Sequence, residues 1–137
     1  MNDRFKFRHW DKKINKMCYG DIYLSSSGKP FILHCETEKL LRPEDIDDVI
    51  TMQCTGLKDK NGTLIFEGDI VKYTSKKSKS NPEKEPYTEN FKVVWDGGSY
   101  VSQRANGVNC QNVAIERNQL EVIGNIYENP ELLKSEE

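Results

Sequence analysis

MQCTGLKDKNGTLIFEGDIVKY, residues 52–73, decides the fold class of this chain. From Val49 into this stretch, Ile50, Met52 and Cys54 alternate with Val49, Thr51, Gln53 and the β-branched Thr55. That period of two predicts a strand. Asn61-Gly62, between Leu57 and Leu64, is the dipeptide best suited to a tight turn with positive φ, so the chain reverses there. Gly68-Asp69 permits a sharp bend before Ile70-Val71-Lys72-Tyr73, whose β-branched pair begins a buried strand. Short alternating segments separated by glycine-bearing turns are the pattern of a mainly β domain.

The same pattern extends outward in both directions. Phe5 and Phe7 alternate with Lys6 and Arg8 up to Trp10, which predicts a strand with its aromatics on one face. Asp11-Lys12-Lys13 reads as a turn, and Met17-Cys18-Tyr19 returns to complete an N-terminal hairpin. Gly28-Lys29-Pro30 signals a turn before a short strand over Phe31–Cys35. Pro43 followed by Glu44, Asp45, Asp47 and Asp48 predicts one short helical turn, because proline tolerates the first helical position and acids favour the positive end.

Downstream, Phe91–Trp95 and Ser99–Ser102 flank Asp96-Gly97-Gly98, a hairpin with a three-residue loop. Apolar character returns at Val113-Ala114-Ile115 after the polar run Gln103–Gln111, and Leu120–Gly124 is a closing strand. Asn129-Pro130 before Leu132 and Leu133 is the signature of a short C-terminal helical turn, with Asn129 as its N-cap. Residues 75–90, SKKSKSNPEKEPYTEN, offer almost nothing to bury and contain two prolines, so they read as a flexible polar surface loop.

At 137 residues the expectation is a single domain over 1–137, able to bury roughly two-thirds of its unfolded surface. Twenty Lys plus Arg against 22 Asp plus Glu leave a formal charge of −2, which does not supply the basic excess that drives phosphate-backbone binding. No apolar run approaches the ~20 residues of a membrane span, and the N-terminus does not read as a signal peptide, so a cytoplasmic protein is expected. Without an export signal, Cys18, Cys35, Cys54 and Cys110 are expected as reduced thiols.

FKFRHWD (5–11), the block at 52–73, VVWDGGSY (93–100) and LEVIGNIYENPELL (120–133) together resemble the YopX-like proteins of phages and prophages. The blocks occur in the family's order and reach both ends of the chain. Cys54 stands where an aromatic residue is often found before the Thr-Gly pair. The resemblance implies a half-open, SH3-like small β-barrel with an N-terminal hairpin, encoded by a mobile element, and it offers no catalytic residue to transfer. Shared turn and cap motifs of this kind report a shared fold before a shared chemistry.

The residues themselves weigh against sharper chemistry. Cys18, His34, Cys35, Cys54 and Cys110 could be gathered around zinc, but no pair has knuckle spacing, and ordinary buried thiols are the commoner reading. Cysteine catalysis would need His9 or His34 as base, and His9 beside Trp10 is more simply a packing or surface residue. Glu44, Asp45, Asp47 and Asp48, or Glu67 with Asp69, fit a solvated helix start and a turn as well as an acid site. No P-loop or dinucleotide fingerprint is present. No catalytic residue, cofactor or metal is therefore expected.

What remains is binding. Phe5, Phe7 and Trp10 are the candidate contacts for an unknown protein partner, including a second copy of the chain, because an open barrel has strand edges to cover. The alternative is a single-stranded nucleic acid in phage replication or regulation. It would be held by Lys6, Arg8, Lys76, Lys77, Lys79 and Tyr100, as small barrels do with a basic groove and stacking aromatics. Glu83, Glu85 and Glu89 nearly neutralise the lysines of the loop, so charge does not imply this partner.

Overall fold

The computed structural model describes residues 6–20, 22–24, 26, 30–33, 40–41 and 49–134. His34 and Cys35, the helical turn expected over 43–48, Phe5 and residues 135–137 lie outside the described residues. The architecture is mainly β, with a curled half-barrel sheet and a short helical turn near the C-terminus. The contacts divide the chain into two compact units between Cys54 and Thr55.

In the first unit, β1 (Phe7–Asp11) pairs antiparallel with β2 (Lys16–Gly20) to form the expected N-terminal hairpin, whose turn places Asn15 at φ 50°. A three-stranded antiparallel sheet joins β3 (Ile22–Leu24), β4 (Pro30–Leu33) and β5 (Leu40–Leu41), with β4 in the middle. The first half of β6 (Val49–Lys58) pairs with the other edge of β1 and sets His9 opposite Thr51, with Nδ1 and Oγ1 3.3 Å apart. β1 is thus flanked on both sides, and Arg8, His9, Trp10 and Asp11 are all buried. Arg8 and Trp10, named above as candidate contacts, are therefore buried: alternation marks two different faces, not that one of them meets water. The thiol expectation is corrected for Cys18, which is disulfide-bonded, whereas Cys54 and Cys110 form no disulfide.

The second unit continues from β6 into β7 (Leu64–Phe66), β8 (Asp69–Thr74), β9 (Thr88–Trp95), β10 (Tyr100–Gln103) and β11 (Asn109–Asn112). It then forms α1 (Val113–Glu116), a 3-10 turn over Arg117–Gln119, β12 (Leu120–Asn125) and a last 3-10 turn over Pro130–Leu133. Five strands make one antiparallel sheet in the order β11-β10-β9-β8-β12. Its core gathers Ile65, Val71, Phe91, Val93, Val113 and Leu120, each at most 5% exposed. Side chains of this size stabilise by about 1.5–3 kcal/mol each when fully buried. Val113 explains α1: it lies at 0% exposure in the core, and Asn112 caps the helix by accepting a hydrogen bond from Ala114 N at 2.9 Å.

Three polar residues of the quoted blocks organise this unit. Asp59 is 6% exposed; its Oδ1 accepts from Asn61 N (2.8 Å) and Thr63 N (2.9 Å) around the Asn61-Gly62 turn, where Gly62 has φ 82°. Its Oδ2 accepts from Val122 N at 2.8 Å. Asp69, considered above as half of an acid pair, instead accepts from Phe66 N at 2.7 Å and closes the β7–β8 turn. Asn125 accepts from Tyr127 N and Glu128 N, and Asn129 Oδ1 accepts from Asn125 N at 3.2 Å. Asn129 therefore makes no side-chain cap on the last 3-10 turn, contrary to expectation, because its amide is engaged on the strand side.

Two boundaries also move. β9 begins at Thr88, so the polar loop spans 75–87. The β9–β10 hairpin pairs Trp95 with Tyr100 and so has a four-residue loop, closed by Asp96 N donating to Ser99 O at 3.0 Å.

Candidate functional site

The two edges of the five-stranded sheet are finished differently. At β12, Lys60 N donates to Leu120 O at 3.0 Å and Asp59 receives Val122 N, so the turn after β6 covers the strand. At the other edge lies β11, Asn-Cys-Gln-Asn, in which Asn109, Cys110 and Gln111 are exposed and no further strand follows among the described residues. A strand edge of this kind is a template for pairing with another chain.

Local sequence holds β11 in place. Gly107 at φ 91° turns the chain after β10, with Arg104 N donating to Val108 O at 2.9 Å and Val108 N to Asn106 Oδ1 at 3.0 Å. Ser102 Oγ accepts from Gln111 N at 3.3 Å and donates to Gln111 O at 3.4 Å, and Gln103 Nε2 donates to Asn109 Oδ1 at 2.7 Å. The register shifts between Ser102 and Gln103, an irregularity of the kind often found at sheet edges. Apolar side chains bracket the strand: Val108 before it is 50% exposed and Ile115 after it is 77% exposed. At the β9–β10 hairpin, Trp95 is 51% exposed and meets Tyr100 edge to face, with centroids 4.9 Å apart. In the hairpin loop, the backbone N–H groups of Gly98 and then Ser99 hold the Asp96 carboxyl below the ordinary carboxylate value.

A groove of about 760 Å³ opens elsewhere on this unit, among Lys72, Asn90, Arg104, Glu121, Ile123 and Leu132. Its lining mixes both signs, with Lys72, Arg104 and Lys134 against Glu89 and Glu121. Arg104 Nε donates to Glu89 at 2.7 Å, a hydrogen bond that raises the guanidinium pKa further, and Lys72 stands opposite Glu121 across β8 and β12. Asn90 Nδ2 donates to Leu132 O at 2.9 Å and ties the last 3-10 turn to the sheet. Such a lining presents charges of both signs rather than a field of one sign.

The residues singled out from the sequence scatter. Lys6 is exposed, Phe7 is half-buried, and Arg8 and Trp10 are 3% and 8% exposed, so these last two present little surface to a partner. Phe5 lies outside the described residues. Lys76, Lys77 and Lys79 are exposed in the 75–87 loop, before the start of β9, whereas Tyr100 faces Trp95 at its far end. The eight residues of β9 separate them by roughly 23 Å. Lysines and aromatic pair therefore do not converge on one groove. Sequence reasoning missed β11, Val108 and Ile115, although a signal was present: residues 105–115 carry no charge in a chain that is 31% charged. Among the described residues, no group of three or more His, Cys, Asp or Glu is placed to hold a metal ion, and no helix is long and apolar enough to cross a membrane.

The family described as YopX protein matches residues 6–134. Protein yopX from Bacillus subtilis is similar in structure with a TM-score of 0.63 and 25% identity, over 98% of this chain and 100% of that one. Protein EF1440 from Enterococcus faecalis is similar with a TM-score of 0.58 and 30% identity, over 94% and 97% of the two chains. Comparison with curated proteins gave no match.

Proposed function

Because the chain belongs to the YopX family, whose shared blocks here build turns and strand caps, we propose that it is a phage- or prophage-encoded accessory protein that works by binding another protein and not by catalysis. The observation that carries this reading is the exposed β11 edge with Val108 and Ile115 on either side. Main-chain groups along such an edge give affinity to an added strand, and flanking apolar side chains give it something to bury. Two of the four quoted blocks, 52–73 and 120–133, support the same reading from the other direction, since their Asp59, Asp69 and Asn125 accept from backbone donors.

The test is affinity capture from host cells with the tagged full chain and with Gln111→Lys, which sets a charge on the exposed edge as natural edge strands do. The reading expects a protein, this chain itself included, that the wild type retains and the variant loses. Identical captures by both would remove it. A salt-sensitive complex with mixed oligonucleotides in a low-salt filter-binding assay would shift the function to single-stranded nucleic acid, where phosphate contacts dominate.

A further inference from the structure

The β11 edge is built to meet itself. We infer that β11 pairs antiparallel with β11 of a second copy of this chain, about a twofold axis passing beside Cys110 and Gln111. The inference rests on reading β11 as the binding edge and adds the identity of the partner.

Three observations lead to a second copy. First, the stretch from Ala105 to Ile115 has no charged residue, where the chain's average would place about three. Natural edges that must stay apart carry lysine or other charges, and two like-charged strands repel when brought together. This edge meets its own copy without that penalty.

Second, the apolar residues are arranged with the right symmetry. A twofold interface is self-complementary: the segment before the strand in one copy lies beside the segment after it in the other. Val108 precedes β11 and Ile115 follows it, at 50% and 77% exposure, so each copy brings one apolar side chain to each end of the junction. Third, the opposite edge of the same sheet is covered by Asp59 and Lys60, so pairing through β11 closes on a dimer instead of growing into a filament.

The arrangement brings two Cys110 thiols close to the axis. Cys110 is exposed and free, Cys54 is at 0% exposure and Cys18 is disulfide-bonded. Sedimentation of the full chain should give twice the chain mass, and a short bismaleimide, which adds one thiol across each of its double bonds, should join two chains. Cys110→Ser should lose the cross-link and keep the dimer. Cys110→Lys combined with Ile115→Glu alters only exposed positions, and it should sediment as a monomer with an unchanged circular dichroism spectrum.

A wild type that stays monomeric at high concentration overturns the inference, as does a dimer that survives the double substitution. In either case, a different captured protein that Gln111→Lys loses would leave the binding-edge reading standing. Identical captures would remove both.

Discussion

β11 and β12 terminate the same sheet, yet their chemistry is opposite. β12 is met by a buried carboxylate and a backbone donor from the Asp59–Thr63 turn, whereas β11 offers uncharged side chains to its surroundings. Antiparallel sheets end somewhere, and each end leaves backbone groups to be satisfied. One end is closed by bonds from within the chain, and the other is the edge for which binding is proposed above. If the proposal holds, residues that matter for stability and residues that matter for association lie at opposite edges, and mutations should pull the two apart.

The largest effect is expected from Asp59→Ala. It strips the acceptor from three backbone N–H groups, those of Asn61, Thr63 and Val122. Charge-assisted bonds and the donors left behind together make a loss of about 3–5 kcal/mol in urea denaturation the expected outcome. A loss near zero would erase the contrast between the two edges.

Gly124→Ala probes the same strand by crowding. A Cβ there would lie 2.5 Å from Asn129 Oδ1 and 2.8 Å from its Cγ. Asn129 must then give up the bond it accepts from Asn125 N, and the substitution should destabilise by about 2 kcal/mol, part of it recovered in the double variant with Asn129→Gly.

At the other edge, Cys110→Lys should move the urea midpoint by less than the equivalent of about 0.5 kcal/mol, the usual range for exposed positions, while abolishing association. A large stability loss there would mean that β11 serves folding too.

Asp96 gives the smallest effect. Its folded value lies below the ordinary 3.8 because Gly98 and Ser99 donate to the carboxylate. The stabilisation is therefore present above the ordinary carboxylate value and disappears as pH falls through the lowered folded value. Asp96→Asn should flatten this acid limb, read from the hairpin amide resonances during acid titration.

Much of this was legible in the sequence because turn chemistry is local. Asn61-Gly62 and Asp96-Gly97-Gly98 mark reversals that the structure contains, and the strands expected over 49–55, 70–73 and 120–124 lie within the observed β6, β8 and β12. The burial of Arg8 and Trp10 was not legible, because alternation does not report how many neighbours a strand will have, and β1 lies between two. α1 was missed for a related reason: four residues are too few to show a helical period, and the depth of Val113 and the Asn112 cap fix them. The candidate site was missed because the reading looked for charged and aromatic residues, while the edge is distinguished by having no charge from 105 to 115.

The loop over 75–87 has a practical consequence. Its two ends are clasped at the base, with Ser75 N donating to Tyr87 O at 2.8 Å and Tyr87 N to Ser75 Oγ at 2.7 Å. The span between can therefore be lengthened at the small entropic penalty of a longer closed loop, while β8 and β9 keep their register. An epitope or fluorophore-binding peptide spliced after Ser80 would give a handle for following the protein in living cells, on a part of the chain separate from β11.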